Sequence, residues 1–285
     1  MRRPQFSLEE NETDFTAKLT KAARKNKSLL CVGLDPDPEM MPNQVSVFEF
    51  NRVIIEATAD LVCAYKLNFA FYEALGDDGF DILRRTVEHI PNDIPVIGDA
   101  KRGDIGNTAK AYARSIFTSF NFDAATVNPY LGFDSVEPFI QYRDRGVFIL
   151  CRTSNAGAVD FQSLRTELKG SSHPLFEIVA IKASQWNTLG NIGLVVGATY
   201  PEELKLIRAN HPDILLLIPG IGTQGGALSS TVCYGVDAHG GKAIINSSRQ
   251  IIYASQGKDF AQAAGRAAAE LRDQINYHLA TRRSE

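Results

Sequence analysis

The stretch VIGDAKRGDIGNTAKAYA, residues 96–113, begins as an apolar run typical of a buried strand and continues into a helical pattern. Charged side chains separate the two parts, and they are Asp99, Lys101, Arg102 and Asp104. Because successive side chains of a strand point to opposite faces, Asp99 and Lys101 are expected to share one face, with Ala100 turned toward the helices. The stretch therefore predicts a strand–helix unit with opposite charges at the carboxyl end of its strand.

The same unit recurs along the whole chain. Apolar runs that predict strands cover residues 28–35, 61–68, 94–101, 124–132, 146–155, 192–199, 213–222 and 242–250. Helical spacing covers residues 46–59, 70–89, 107–120, 134–144, 173–188, 201–210 and 225–234, and another helical pattern follows the last strand. Strands that are apolar throughout and alternate with helices predict a parallel sheet covered by helices. Eight units in 285 residues predict an α/β fold, a (β/α)8 TIM barrel.

Residues 1–285 are expected to form a single domain around this barrel. Arg24 and Lys25 are interpreted as the solvated end of a helix that precedes the first strand, so the barrel carries an N-terminal helical extension. The segment 155–174 is long and irregular, and it predicts a surface excursion over the barrel mouth.

A doubly wound open sheet is the alternative architecture, and the motif GIGTQG at 220–225 resembles a dinucleotide fingerprint. The motif lies in the seventh unit rather than the first, and Asp237 comes too early to hold a ribose. In a barrel, the loops after the seventh and eighth strands commonly build a phosphate site. The glycines are therefore interpreted as a phosphate-binding loop.

Composition excludes several classes of protein. The net charge of −3, from 30 basic and 33 acidic residues, offers no basic face for nucleic acid. The first 15 residues lack the apolar core of a signal peptide, and no apolar run is long enough to cross a membrane, so a cytoplasmic protein is expected. The four cysteines are widely spaced, which favours free thiols over disulfides or a metal site.

Several of the predicted strands end in polar side chains. Asp35, Lys66, Asp99 and Lys101 lie at the ends of three successive strands and are expected to converge at the carboxyl rim of the barrel, where TIM-barrel active sites are built. Flanking carboxylates would keep both lysines charged. Such an array is costly to bury, so its presence indicates a catalytic use.

The polar motifs of the chain are GLD (33–35), YKLN (65–68), DAKRGDIGNT (99–108), CRTSN (151–155), PGIGTQGG (219–226) and NSSRQIIYAS (246–255). Together they resemble the orotidine 5′-phosphate decarboxylase family, in particular its longer bacterial branch (type 2). DxKxxDIxNT is the specific motif, and the others add order and spacing. Gly106 stands where many relatives have proline, and the segment 155–174 has no counterpart in short members.

The resemblance implies a role for each matching residue. Lys66, Asp99 and Lys101 would form the catalytic array, and Asp104 would join the array of a neighbouring subunit in a homodimer with shared sites. Substrate-binding roles would fall to Asp35 and Lys66 at the ribose, Ser154 at the pyrimidine ring, Pro219 at the edge of the ring pocket, Gln224 and Arg249 at the 5′-phosphate, and Thr108 at the partner's ribose. The family needs no cofactor and no metal.

The implied reaction is the decarboxylation of orotidine 5′-phosphate to uridine 5′-phosphate, the last step of de novo pyrimidine nucleotide synthesis. Lys101 would stabilise the carbanion at C6 and then protonate it. Two alternatives remain open. One is a magnesium-dependent keto-gulonate 6-phosphate decarboxylase, which shares DxKxxD but has a carboxylate in place of Lys66. The other is a catalytically silent barrel that binds a nucleotide phosphate.

Overall fold

A computed structural model describes residues 14–221 and 227–282. Its strands are β1 (Leu30–Gly33), β2 (Ala64–Asn68), β3 (Val96–Arg102), β4 (Ala124–Val127), β5 (Gly146–Arg152), β6 (Arg165–Leu168), β7 (Ser171–Pro174), β8 (Ile192–Val196), β9 (Leu215–Ile218) and β10 (Ala243–Ser247). All of them except β6 and β7 pair in parallel, and the pairing of β1 with β10 closes the barrel. The predicted (β/α)8 barrel is confirmed. Seven of its eight strands lie within a predicted run, and β3 extends one residue beyond its run, to Arg102.

The α-helices cover the outside of the barrel and one of its ends. They are α1 (Phe15–Asn26), α2 (Val47–Thr58), α3 (Phe69–Glu73), α4 (Gly79–His89), α5 (Gly106–Arg114), α6 (Phe133–Ile140), α7 (Leu175–Trp186), α8 (Pro201–Asn210), α9 (Leu228–Gly235), α10 (Arg249–Ile252) and α11 (Phe260–Arg282). None of the helices in the described ranges has the length and apolarity to span a membrane.

The prediction of one continuous helix over 70–89 is wrong. Gly76 has a φ of 70°, in the left-handed region that interrupts a right-handed helix, and residues 76–78 form a 3-10 turn between α3 and α4. Gly79 then starts α4, and an added Cβ there would lie 1.9 Å from the carbonyl oxygen of Tyr72. The break lets α4 begin close against the end of α3.

Helix α1 closes the amino end of the barrel, as the N-terminal helical extension expected from the sequence. Phe15 packs edge-on against Phe148, with ring centroids 5.8 Å apart, and its ring lies so close to Gly146 that a side chain there would clash. Lys18 Nζ lies 2.8 Å from Asp123 Oδ2, just before β4. Helix α1 therefore does not cover the opposite, carboxyl end of the barrel.

The segment 155–174 is more regular than its sequence predicted. It contains a 3-10 turn at 156–160 and an antiparallel hairpin of β6 and β7. Lys169 and Gly170 join the two strands with φ values of 52° and 82°, the paired positive φ angles of a tight hairpin turn. Cys31, Cys63, Cys151 and Cys233 are free thiols, and the first three are buried.

Candidate active site

A cavity of about 470 Å³ opens at the carboxyl ends of the barrel strands, within the size range of small-molecule sites. Its polar lining consists of Asp35, Lys66, Asp99, Lys101, Thr126, Thr153, Ser154, Asn155, Asn246, Ser248, Arg249 and Gln250. The apolar part of the lining includes Phe71, Leu150, Val195, Leu217, Pro219 and Ile221. The cavity thus combines a charged wall with an apolar wall.

The charged wall is a chain of ion pairs. Lys66 Nζ lies 3.0 Å from Asp99 Oδ2 and 3.6 Å from Asp35 Oδ1. Lys101 Nζ lies 2.7 Å from Asp99 Oδ1, so this carboxylate contacts both lysines, one through each oxygen. The predicted convergence of these four side chains at the barrel rim is confirmed.

Burial and charge act in opposite directions on this array. Burial lowers the pKa of the Lys66 ammonium, but the charges of Asp35 and Asp99 outweigh that effect and hold the pKa above its ordinary value. Burial raises the pKa of the Asp99 carboxyl, but the charges of Lys66 and Lys101 outweigh it and hold the pKa below its usual range. Both groups are therefore ionised at neutral pH, although both are buried.

Asp99 and Lys101 meet, but not through the regular strand alternation that the sequence predicted. The pairing of β3 with β4 shifts register between Gly98 and Arg102, and Lys101 has a φ of 48°. A left-handed backbone at a residue with a Cβ costs about 1–2 kcal/mol. Ala100 packs into the buried cluster between strands and helices, as expected. The position of Lys101 is thus set by a bulge at the end of β3.

Arg102 faces away from the cavity. Its guanidinium pairs with Glu73 and lies over the rings of Phe69 and Tyr112, at 5.6 Å and 5.1 Å from their centroids. Arg152, at the end of β5, is likewise directed outward and pairs with Glu203. Neither arginine belongs to the cavity lining.

The predicted substrate-binding residues, together with the predicted catalytic residue Asp104, divide into three groups. Asp35, Ser154, Pro219 and Arg249 line the cavity. Asp104 and Thr108 do not line it. Gln224 lies outside the described residues. The carboxylate of Asp35 is also held by the neighbouring strand β2, because its Oδ1 accepts a hydrogen bond of 3.2 Å from the backbone N–H of Asn68.

The loop after β3 carries Asp104 away from the array. The carboxylate of Asp104 accepts a 2.7 Å hydrogen bond from the N–H of Ile105, whose own side chain is 53% exposed. Many relatives have proline at the position of Gly106. Gly106 has a φ of 56°, which proline cannot adopt, so the backbone here differs from that of those relatives. Gly103 lies against Asn128 of the next loop. A Cβ added to Gly103 would lie 2.8 Å from the carbonyl oxygen of Asn128.

Six polar residues of the cavity lining were given no role from the sequence, and two of them, Thr126 and Asn246, lie inside strands. Thr126 interrupts the apolar run of β4, and its hydroxyl donates a 2.8 Å hydrogen bond to Asp99 Oδ1. Asn246 precedes the serines at the end of β10, and its Oδ1 is buried with no hydrogen-bond partner among the described residues. A polar residue within an otherwise apolar strand was the signal in both cases.

Within the described ranges, no group of three His, Cys, Asp or Glu side chains is arranged around a common metal position.

Comparison with known proteins identifies the family. The model of the orotidine 5′-phosphate decarboxylase / HUMPS family matches residues 28–264. Orotidine 5′-phosphate decarboxylase of Dehalococcoides mccartyi is 58% identical over 93% of this chain and 98% of its own, and that of Herpetosiphon aurantiacus is 50% identical over 89% and 95%. The structure of Leishmania donovani OMP decarboxylase superposes with a TM-score of 0.83 at 40% identity, covering 93% of this chain and 99% of that one. The chain belongs to the orotidine 5′-phosphate decarboxylase / HUMPS family.

Proposed function

We propose that this protein decarboxylates orotidine 5′-phosphate to uridine 5′-phosphate and CO2, as a carboxy-lyase of pyrimidine nucleotide synthesis. The observation that carries the proposal is the array in which Asp99 contacts both Lys66 and Lys101 at the charged wall of the cavity. Relatives that are up to 58% identical over 93% of the chain are named for this activity. A substrate that carries a phosphate does not cross membranes unaided, which supports a cytoplasmic enzyme.

The chemistry requires a positive charge beside C6 of the orotate ring. When the bond from C6 to the carboxylate breaks, the electron pair stays on C6 in the plane of the ring, where no adjacent carbonyl delocalises it. Lys101 Nζ, exposed at the cavity wall, stabilises this carbanion and donates the proton that forms the new C6–H bond. CO2 leaves, and solvent restores the proton of Lys101.

Asp99 has two roles in this scheme. It positions and charges Lys101 through their 2.7 Å contact. It also faces the departing carboxylate, and two unit charges about 4 Å apart interact by roughly 4 kcal/mol at an effective dielectric of about 20. Enzymes lower barriers by about 8–23 kcal/mol, so repulsion alone is too small to account for the catalysis.

Binding of the 5′-phosphate supplies part of the remainder. Arg249 lines the cavity, and its guanidinium offers two parallel hydrogen bonds to phosphate oxygens. Gln224 is proposed as a second phosphate ligand from the glycine-rich loop of residues 219–226. Because the phosphate does not react, its binding energy can hold the ring and ribose in the productive position. Asp35 and Lys66 are proposed to bind the ribose, with Ser154 and Pro219 at the ring.

We further propose a homodimer with shared active sites, in which the whole chain forms one domain per subunit. Asp104 and Thr108 do not line their own cavity, which supports a role at the cavity of a partner subunit. Exposed apolar side chains lie on the same loop and on the neighbouring one, including Ile105, Tyr130 and Leu131. Apolar and aromatic surface of this kind is typical of subunit interfaces.

Lys66 weighs against the magnesium-dependent alternative. Its ammonium already neutralises Asp35 and Asp99, at 3.6 Å and 3.0 Å. A divalent cation at the same carboxylates would be repelled by that charge. The silent-barrel alternative leaves the contact between Lys101 and Asp99 without a use.

The test is the loss of orotate absorbance after purified protein is added to orotidine 5′-phosphate in the presence of EDTA. We expect turnover that is unaffected by EDTA, with release of one CO2 for each uridine 5′-phosphate formed. Absence of turnover would support the silent barrel. Turnover that EDTA abolishes and magnesium restores would support the metal-dependent alternative.

A further inference from the structure

The hydroxyl of Thr126 joins two parts of the charged array. Thr126 lies on β4 and is 1% exposed. It accepts a 2.9 Å hydrogen bond from the backbone N–H of Lys101 and donates a 2.8 Å hydrogen bond to Asp99 Oδ1. The direction of both bonds is fixed, because a backbone N–H can only donate and an ionised carboxylate can only accept.

The two bonds complete a ring around Lys101. Lys101 Nζ donates a 2.7 Å hydrogen bond to the same oxygen, Asp99 Oδ1, that Thr126 contacts. The backbone of Lys101 is therefore tied to Asp99 through Thr126, while its side chain is tied to Asp99 directly. Movement of the Lys101 backbone would have to break one of the bonds in the ring.

At the irregular end of β3, a side chain of β4 accepts the hydrogen bond from the backbone N–H of Lys101. Between the paired positions Gly98–Ala125 and Arg102–Val127, β3 contains three residues where β4 contains only Thr126. Lys101, one of the three, has a φ of 48°. Its amide donates to the Thr126 hydroxyl, and a valine of nearly the same shape at this position could not accept that bond.

We propose that Thr126 is a positioning residue, whose hydroxyl holds the Lys101 backbone and the Asp99 carboxylate in the relative position from which Lys101 donates its proton. The inference rests on the proposed decarboxylation and adds a residue to its machinery. Thr126 acts through Asp99 and Lys101, and no direct role at the reacting atoms is assigned to it.

The experiment compares Thr126→Val and Thr126→Ser with the wild type. Turnover of orotidine 5′-phosphate, affinity for uridine 5′-phosphate and the melting temperature are measured for each. The control is Thr86→Val. Thr86 is a fully buried threonine of α4 whose hydroxyl also accepts one bond, from Asn51, and donates another, to the carbonyl of Ile82. It tests the loss of an equivalent hydroxyl outside the cavity.

We expect Thr126→Val to lower kcat by about 10- to 100-fold, the effect of a small misplacement of a reacting group, and to leave the affinity for uridine 5′-phosphate within about threefold. Thr126→Ser is expected to recover most of kcat, and Thr86→Val to keep all of it even if its melting temperature falls. If Thr126→Val does not fold, Thr126→Ala takes its place in the same comparison.

Three results would overturn the inference: wild-type kcat in Thr126→Val, equal loss of kcat and nucleotide affinity, or a serine variant as impaired as the valine variant. A wild type that fails to turn over orotidine 5′-phosphate is a different result. It would contradict the proposed function and would remove the basis of this inference with it.

Discussion

Lys101 and Asp99 lie two residues apart on one strand and form an ion pair of 2.7 Å, although Lys101 has a left-handed backbone with a φ of 48°. The other oxygen of the same carboxylate lies 3.0 Å from Lys66. Asp99 is thus the shared counter-ion of two lysines. This arrangement makes both stability and activity depend on the charge of the buried Asp99 carboxylate.

The ionised state of Asp99 predicts a specific loss of stability in acid. Its pKa in the folded protein lies below the ordinary value of about 3.9, so the unfolded chain binds more protons as the pH falls through this range. The contribution of Asp99 is complete above about pH 5 and is lost as the pH falls below about 4. The raised pKa of Lys66 gives a contribution that is lost only above its ordinary value, at alkaline pH.

We therefore expect the free energy of unfolding of the wild type to fall more steeply between pH 5 and pH 3 than that of Asp99→Asn, with urea titrations as the measurement. Asp81→Asn, which removes a carboxylate that is 60% exposed, serves as the control and should keep the wild-type slope. Equal slopes in the wild type and Asp99→Asn would contradict the assigned ionisation.

The proposed shared site predicts complementation between two inactive variants. In a heterodimer of Lys101→Ala and Asp104→Ala, one site carries both defects and the other carries neither. Random mixing should therefore restore about a quarter of the wild-type sites. Activity is measured after unfolding and refolding the mixed chains. Heterodimers verified by mass that show no more activity than the separate variants would rule out a site shared through Asp104.

Arg249 is predicted to recognise the phosphate and not the nucleoside. Arg249→Ala should weaken inhibition by uridine 5′-phosphate by at least about 100-fold, because charge-assisted hydrogen bonds are lost. Inhibition by uridine, which has no phosphate, should change by less than about threefold. Arg266→Ala, at an exposed arginine of α11, is the control. Equal losses for both ligands would assign Arg249 a structural role.

Helix α1 is predicted to stabilise the barrel without taking part in the reaction. Phe15 is 3% exposed and packs on Phe148 at the amino end, opposite the cavity. Phe15→Ala should lower the free energy of unfolding by about 3 kcal/mol, with kcat unchanged at temperatures where the protein stays folded. Phe161→Ala, at a phenylalanine that is 64% exposed, should leave stability unchanged. A comparable loss in both variants, or a fall in kcat for Phe15→Ala, would contradict this role.

The barrel could be predicted from the sequence because each of its strands lies in a largely apolar run that alternates with a helical pattern. The strand-end charges at Asp35, Lys66, Asp99 and Lys101 could be predicted to converge because parallel strands end at the same rim. The break at Gly76 and the hairpin turn at Lys169–Gly170 were missed. Both depend on a positive φ, which glycine permits but does not require.

The role of Thr126 could not be predicted from spacing. Its contact with Lys101 arises because β3 and β4 pair with unequal numbers of residues between Gly98 and Arg102. A register shift of this kind is a property of two strands together, and neither strand's sequence contains it. The sequence correctly predicted that Asp99 and Lys101 lie together. It attributed their contact to regular strand alternation, whereas the contact is made at an irregular strand end.

The central claim is that Lys101 supplies the proton at C6, and the most direct test is the variant Lys101→Ala. We expect its turnover of orotidine 5′-phosphate to fall by at least about a thousandfold, with affinity for uridine 5′-phosphate within about tenfold of the wild type. Lys25→Ala, at an exposed lysine of α1, should behave as the wild type. Turnover by Lys101→Ala within about tenfold of the wild type would contradict the account.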